Sequence, residues 1–171
     1  MLKNLTGAGL IAAISILHLC SAQLPSVQLD QLSANDKDFI EYAGEIDLAA
    51  IRFAQMAQMD AASPQIKSFA EMIEREHAAD LKKLVAIANK AGGITPNTLD
   101  DVHMNAVKQL KKYKGKSFDH QFLKIVINEH ERAIISFQRE ADNGFNPRLQ
   151  AYAKTTLVSL QAHLKKAKQL S

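Results

Sequence analysis

Four stretches of this chain repeat apolar residues at offsets of three and four, and the breaks between them are very unequal. Such offsets place side chains on one face of a helix. The first break, ahead of Ser63-Pro64, is about four residues long, and the last is Asn143-Gly144-Phe145-Asn146-Pro147. Breaks this short force neighbouring helices into antiparallel hairpins. The middle break, residues 92–116, holds an amphipathic segment of its own. Thr95-Pro96 opens it, and Leu99, Val102, Ala106, Leu110 and Tyr113 lie along one side.

The first long helix is capped by Asn35 or Asp36 and runs to Met59, with Phe39, Ala43, Ile46, Ala50, Phe53 and Ala57 on its core stripe. The second starts at Ser63-Pro64 and stops at Gly92-Gly93. The third is capped by Ser117, and the fourth carries Leu149, Ala153, Thr156, Leu160, Ala167 and Leu170 inward. About seventeen helical residues in the crossover span roughly 25 Å at 1.5 Å per residue, enough to return the chain along the bundle. Helices two and three then run parallel. The fold class this gives is all-α, a ferritin-like four-helix bundle of two hairpins joined by a long crossover.

A chain of 171 residues with 47% hydrophobic residues and no Trp supports one core and one domain. Residues 1–22 read as an export signal: Lys3 is the positive end, 10–19 a mostly apolar run, and Cys20-Ser21-Ala22 a small-x-small cleavage site. The run is too short to span a bilayer. Acylation at Cys20 is the alternative, but Leu19 precedes the cysteine where a small side chain is wanted. A flexible segment, 23–34, then leads to the bundle at 35–171. Cleavage takes the formal charge from +3 to +2 and removes the only cysteine, so no disulfide is expected. The lysine-rich crossover (Lys108, Lys111, Lys112, Lys114, Lys116) lacks interleaved aromatics, so nucleic acid is not an expected partner.

Three histidines interrupt the core stripes. His77 follows Ile66, Phe69 and Ile73; His130 follows Phe122 and Val126; His163 follows Thr156 and Leu160. His77 lies 13 residues after Pro64 and His130 13 after Ser117, so on parallel helices they share a layer. Counted from the first turn, Glu45 stands level with His77, and counted from the second, His163 stands level with His130 to within a turn. Glu45, His77, His130 and His163 are therefore candidate ligands of one divalent transition metal. Nitrogen with one oxygen suits Zn, Cu, Fe or Ni rather than Mg or Ca. Glu74, in the Glu-x-x-His pair with His77, is a candidate supporting ligand, but Ile127 and Leu160 stand where a second such pair would need glutamate. The oxygen donors are too few for a dinuclear carboxylate centre. His103 and His120 fall off the stripes and are expected to be solvated.

These residues resemble the exported ferritin-like proteins of domain-of-unknown-function family 4142. The resemblance rests on Gly44-Glu45-Ile46, Phe69-Ala70-x-Met72 with His77, Pro96, Gly115-x-x-Phe118-Asp119 leading to His130 and Phe137, and Leu160-x-x-His163-Leu164. Family members commonly have aspartate where this chain has Glu76, and often Leu-Pro where it has Leu157-Val158. The resemblance implies the bundle and an extracytoplasmic address and assigns no activity.

Three functions follow as expectations: a periplasmic metal-binding bundle in metal handling or envelope stress, a metal-free interaction bundle held by a histidine-glutamate network, and a metal-dependent oxidoreductase. No nucleophile triad or phosphate loop supports a hydrolase or transferase. The export reading gives an expected mature chain beginning at Gln23; an intact mass that retains lipidated Cys20 would place the protein on a membrane anchor instead.

Overall fold

The computed structural model describes residues 31–171, so the expected export signal lies outside the described residues. Five helices follow in order: α1 Ala34–Asp60, α2 Pro64–Lys90, α3 Asp101–Leu110, α4 Gly115–Asn143 and α5 Pro147–Leu170. None of them is long and apolar enough to cross a membrane. The four long helices form the bundle. α1 packs on α2 and α4, and α5 packs on α4 and α2, which leaves α2 and α4 diagonal to one another. A parallel bridge between Ala61 and Gly115 brings the starts of α2 and α4 to the same end, as the crossover topology requires.

Local chemistry sets the helix ends. α1 is capped by Ser33, not by Asn35 or Asp36: the Ser33 hydroxyl accepts from the Asp36 N–H, and the Asp36 carboxylate accepts from the Ser33 N–H at 2.7 Å. Asp36 is thus the third residue of a capping box, which satisfies two end donors at once. Leu32 packs against the core ahead of this cap, so the chain is already docked before residue 35. α2 ends as expected, with Gly92 at φ 71° and the Gly93 N–H donating to the Ala88 carbonyl at 2.8 Å. That is the closure a left-handed residue after a helix provides. α4 begins three residues earlier than expected, after Lys114, which makes no side-chain cap; the Ser117 hydroxyl donates to the Lys114 carbonyl instead.

The crossover departs most from expectation. Its helix is only ten residues long and is capped by Asp100, whose side chain accepts from the His103 N–H at 2.7 Å. Residues 93–100 are not helical, and extended chain covers about twice the distance per residue that a helix does, so a short helix suffices. The lead-in is held close to α1 because a Cβ on Gly44 would stand 2.7 Å from Pro96 Cδ. With the cap at Asp100, the inward face becomes His103, Val107 and Leu110, while Val102 is 71% exposed. His103 is consequently buried, and its Nδ1 lies 2.9 Å from the Asp100 carboxylate. His120 is exposed, as expected.

Two carboxylates staple the hairpins together at opposite ends. Asp119 of α4 accepts from the N–H groups of Ala62 and Ser63, in the first hairpin's turn, at 2.9 and 3.0 Å. Asp36 of α1 accepts from the N–H groups of Phe145 and Asn146, in the second hairpin's turn, at 3.0 and 3.3 Å. Between the staples the core divides into two apolar blocks. One holds Phe53, Phe69, Phe118 and Phe122, and the other Phe39, Phe137, Tyr152 and Leu160. The three inward histidines lie between them.

Removing the Asp119 staple, in Asp119→Ala, strands two turn N–H groups and should cost about 2–4 kcal/mol in denaturant unfolding, since bonds to charged acceptors carry about 1.5–3 kcal/mol each. At the other end, Glu140 is buried beside Asp36, and one of its oxygens has no partner. Burial, then the charge of Asp36 and the bond to it, push Glu140 up to about 7 from its ordinary 4.5. Between those two values the folded chain holds a proton that the unfolded chain has released, so stability should fall as pH rises through this window. Glu140→Gln keeps a donor toward Asp36. It should match the parent below pH 4.5 and exceed it above pH 7 by at most about 3 kcal/mol, since holding one proton across each pH unit of that window is worth about 1.36 kcal/mol.

Candidate metal centre

His77 of α2, His130 of α4 and His163 of α5 meet at mid-bundle. Each is no more than 3% exposed, and one nitrogen from each ring lies within 4.8 Å of the other two. The ring centroids are 5.3 to 5.5 Å apart. The layer exists because each imidazole takes the place of a Leu or Ile in a three-four stripe, at matched heights on helices whose starts are fixed by the staples.

Each ring is also held from outside. His77 Nδ1 lies 2.7 Å from the Asp47 carboxylate, and the Tyr152 hydroxyl donates to the other Asp47 oxygen at 3.4 Å. His130 Nδ1 lies 2.9 Å from the Val126 carbonyl, one turn back on α4. His163 Nε2 lies 2.9 Å from the Glu76 carboxylate. Carbonyls and carboxylates only accept, so these partners assign the ring protons to the outward nitrogens. In neutral rings the inward nitrogens, His77 Nε2, His130 Nε2 and His163 Nδ1, are then bare. His77 Nε2 is buried and has no hydrogen-bond partner. His130 Nε2 faces His163 Nδ1 at 3.3 Å, and a hydrogen bond there needs a proton that neutral rings bonded outward do not have.

Protonation is disfavoured on the two rings in that contact. Burial, then the neighbouring His77 and His163, push His130 well below the usual imidazole range. Burial, then His77, lower His163 against the opposing pull of Glu76. Asp47 is pushed up by burial, while the bond to His77 and its charge pull the other way. Asp80, also buried, sits one turn along α2 and accepts from Lys83 at 2.8 Å. If all three rings are neutral, their converging lone pairs and outward acceptors make the donor set and orienting shell that a transition-metal site needs.

The structure brings three of the expected residues together and places two elsewhere. Glu45 stands beside Asp100 and His103 of the crossover; burial, then the Asp100 and Glu41 charges, raise its pKa. Glu74 accepts from Gln55 and Gln58 of α1 at 2.9 and 2.6 Å, and these bonds lower its pKa. The carboxylates that reach the imidazoles are Asp47 and Glu76. Asp47 had a signal in the sequence, lying four residues after the inward Ala43, and so did Asp80, three after His77 and four before Leu84. Glu76 had none in the helical period, because it precedes His77 on a neighbouring face and reaches His163 across the α2–α5 interface; the family resemblance alone marks its position as acidic.

Among solved structures, a DUF305 fragment from Deinococcus radiodurans is similar over 82% of this chain and 97% of its own, with a TM-score of 0.73 at 14% identity. CopM in the Cu(I)-bound form is similar over 78% of this chain and 93% of its own, with a TM-score of 0.66 at 24% identity. The Cu(II)-bound form of CopM gives a TM-score of 0.63 at 23% identity. At these identities the likeness shows a shared fold. No curated protein matches the chain. The sequence pattern of the domain-of-unknown-function family DUF4142 matches residues 21–170, and the chain belongs to that family.

Proposed function

We propose that this protein is an exported metal-handling bundle that holds one transition-metal ion at His77, His130 and His163. The carrying observation is the set of three inward nitrogens, one of them buried without a partner and two facing each other at 3.3 Å. A cation at their centre supplies what all three lack. Asp47 and Glu76 orient the rings and add negative charge nearby, and neither belongs to the inner donor set. Imidazole donors suit Zn, Cu, Fe and Ni. Copper comes first among these, because CopM, which shares the fold, is described in Cu(I), Cu(II) and silver forms. The export part of the reading is supported by the apolar run at 10–19 and the Ala22 cleavage site.

The competing reading is a histidine network that only holds the helices in register. One substitution separates the two. His130→Leu removes an imidazole whose outer partner is a backbone carbonyl, so no buried carboxylate loses its partner. If the site is built for an ion, the metal-free His130→Leu protein should be at least as stable as the metal-free parent, because a buried polar group that lacks a partner costs about 1–3 kcal/mol. The parent should gain about 2.7 kcal/mol when free metal is a hundredfold above its dissociation constant. His130→Leu should lose that gain, whereas His120→Ala should keep it. Calorimetric titration of chelator-treated protein with copper, zinc, iron and nickel measures the binding directly. No binding by the parent, together with a large loss of stability in metal-free His130→Leu, would establish the network instead.

A further inference from the structure

One end of the bundle carries almost a single sign of charge. It gathers the starts of α2 and α4, the end of α1 and the C-terminal end of α3, with the Ala61–Gly115 bridge between them. From residue 102 to residue 128 the chain has six lysines and one carboxylate, Asp119. Both Asp119 oxygens are occupied by turn N–H groups, and among the described residues only Lys114 of the six has a carboxylate partner, Asp60. A face that is merely solvated intersperses the two signs. The far end of the bundle does so, where Asp38, Glu41 and Asp142 accompany Lys37 and Arg139. An end left unbalanced repels itself and draws in an anionic partner.

Apolar groups lie among these lysines. Met59, 67% exposed, and Tyr113, 37% exposed, immediately precede the two residues of the Asp60–Lys114 pair. At the same end a cleft of about 430 Å³ opens between the start of α2, α4 and the end of α5, and its walls join Lys116 and Lys124 to Ile66, Leu123, Ile127 and Leu170. Lysine heads beside exposed apolar side chains and a tyrosine are the chemistry of a bilayer interface, where cations meet lipid phosphates and apolar groups enter the acyl boundary. A soluble polyanion would need the charge alone. Since no described helix is long and apolar enough to cross a membrane, the contact is peripheral.

We infer that this basic end is a docking surface for an anionic phospholipid bilayer. Lys108, Lys111, Lys112, Lys116 and Lys124 take the headgroup phosphates, and Met59 enters the interface. The histidine layer lies at mid-bundle, so neither this surface nor its test depends on the metal reading.

The chain from Gln23, which holds every described helix, is tested by cosedimentation with vesicles of phosphatidylcholine alone and of phosphatidylcholine mixed equally with phosphatidylglycerol. It should bind the mixed vesicles and not the others, and release them as salt rises from about 0.05 to 0.5 M, which draws the screening length in to a few ångströms. A lysine near an anionic surface is worth about fivefold in binding, so Lys111→Gln with Lys112→Gln should weaken it about 25-fold. Lys82→Gln with Lys90→Gln, the same charge change on the far half of α2, should bind as the parent does. Met59→Ser should weaken vesicle binding about fivefold through lost apolar burial and leave any binding to soluble heparin unchanged. No binding to the mixed vesicles, or equal weakening by the two lysine pairs, would overturn the inference. So would vesicle binding untouched by Met59→Ser with heparin bound as tightly, which would assign this end to a soluble polyanion.

Discussion

The need of a buried imidazole for a partner at each nitrogen organises this molecule. Three histidines sit at positions where the helical period asks for Leu or Ile, between two apolar blocks that contain all the large aromatic side chains of the core. In such surroundings an unpaired polar atom is costly, and a charged one more so. The helices meet the cost on the outer side only, with Asp47, the Val126 carbonyl and Glu76. On the inner side, among the described residues, there is only the 3.3 Å contact between His130 Nε2 and His163 Nδ1. A sequence built only for packing would have kept the hydrophobic period.

Bringing side chains from three helices to one height requires that the helices cannot slide. Apolar packing alone is tolerant of small shifts, but the end staples are directional. Asp119 fixes the first hairpin's turn to the start of α4, and Asp36 fixes the second hairpin's turn to the start of α1. Each hairpin therefore supplies the carboxylate that satisfies the other's bare turn N–H groups. For Asp36, burial alone would raise the pKa, yet the bonds from Ser33, Asn146 and Phe145 outweigh it and hold the carboxyl below its ordinary value. The histidine layer lies between these two fixed ends, so its register is inherited from bonds far from it.

How much of this could be read from the chain varies with the range of the interaction. The four long helices and the closed end of α2 follow from local signals, the three-four period and Ser-Pro or Gly-Gly punctuation. The histidine layer was legible because counting residues from two turns is reliable when the turns are short. The crossover was not, since an apolar residue count does not reveal that Pro96 is held against Gly44 and that the cap falls at Asp100, which turns Val102 outward and His103 inward. Glu45 is expected from its height and from its place at the flank of the stripe. A helix rotates by about 100° per residue, so height without azimuth cannot separate Glu45 from Asp47. Glu76 shows the firmer limit, because its role exists only where α2 meets α5, and no period along one helix encodes the neighbour across an interface.

Charge bears on both readings of the layer. With the rings neutral, Asp47 is a buried carboxylate whose compensation comes from hydrogen bonds alone, and burial pushes its pKa up accordingly. His130 and His163 are both driven away from protonation, by burial first and then by His77. An ion among the inner nitrogens would accept all three lone pairs, offset the buried charge of Asp47, and strengthen the outward N–H bonds to Asp47, Val126 and Glu76 by polarising the rings. The carboxylate that burial makes costly beside neutral rings would then stabilise a layer that holds an ion.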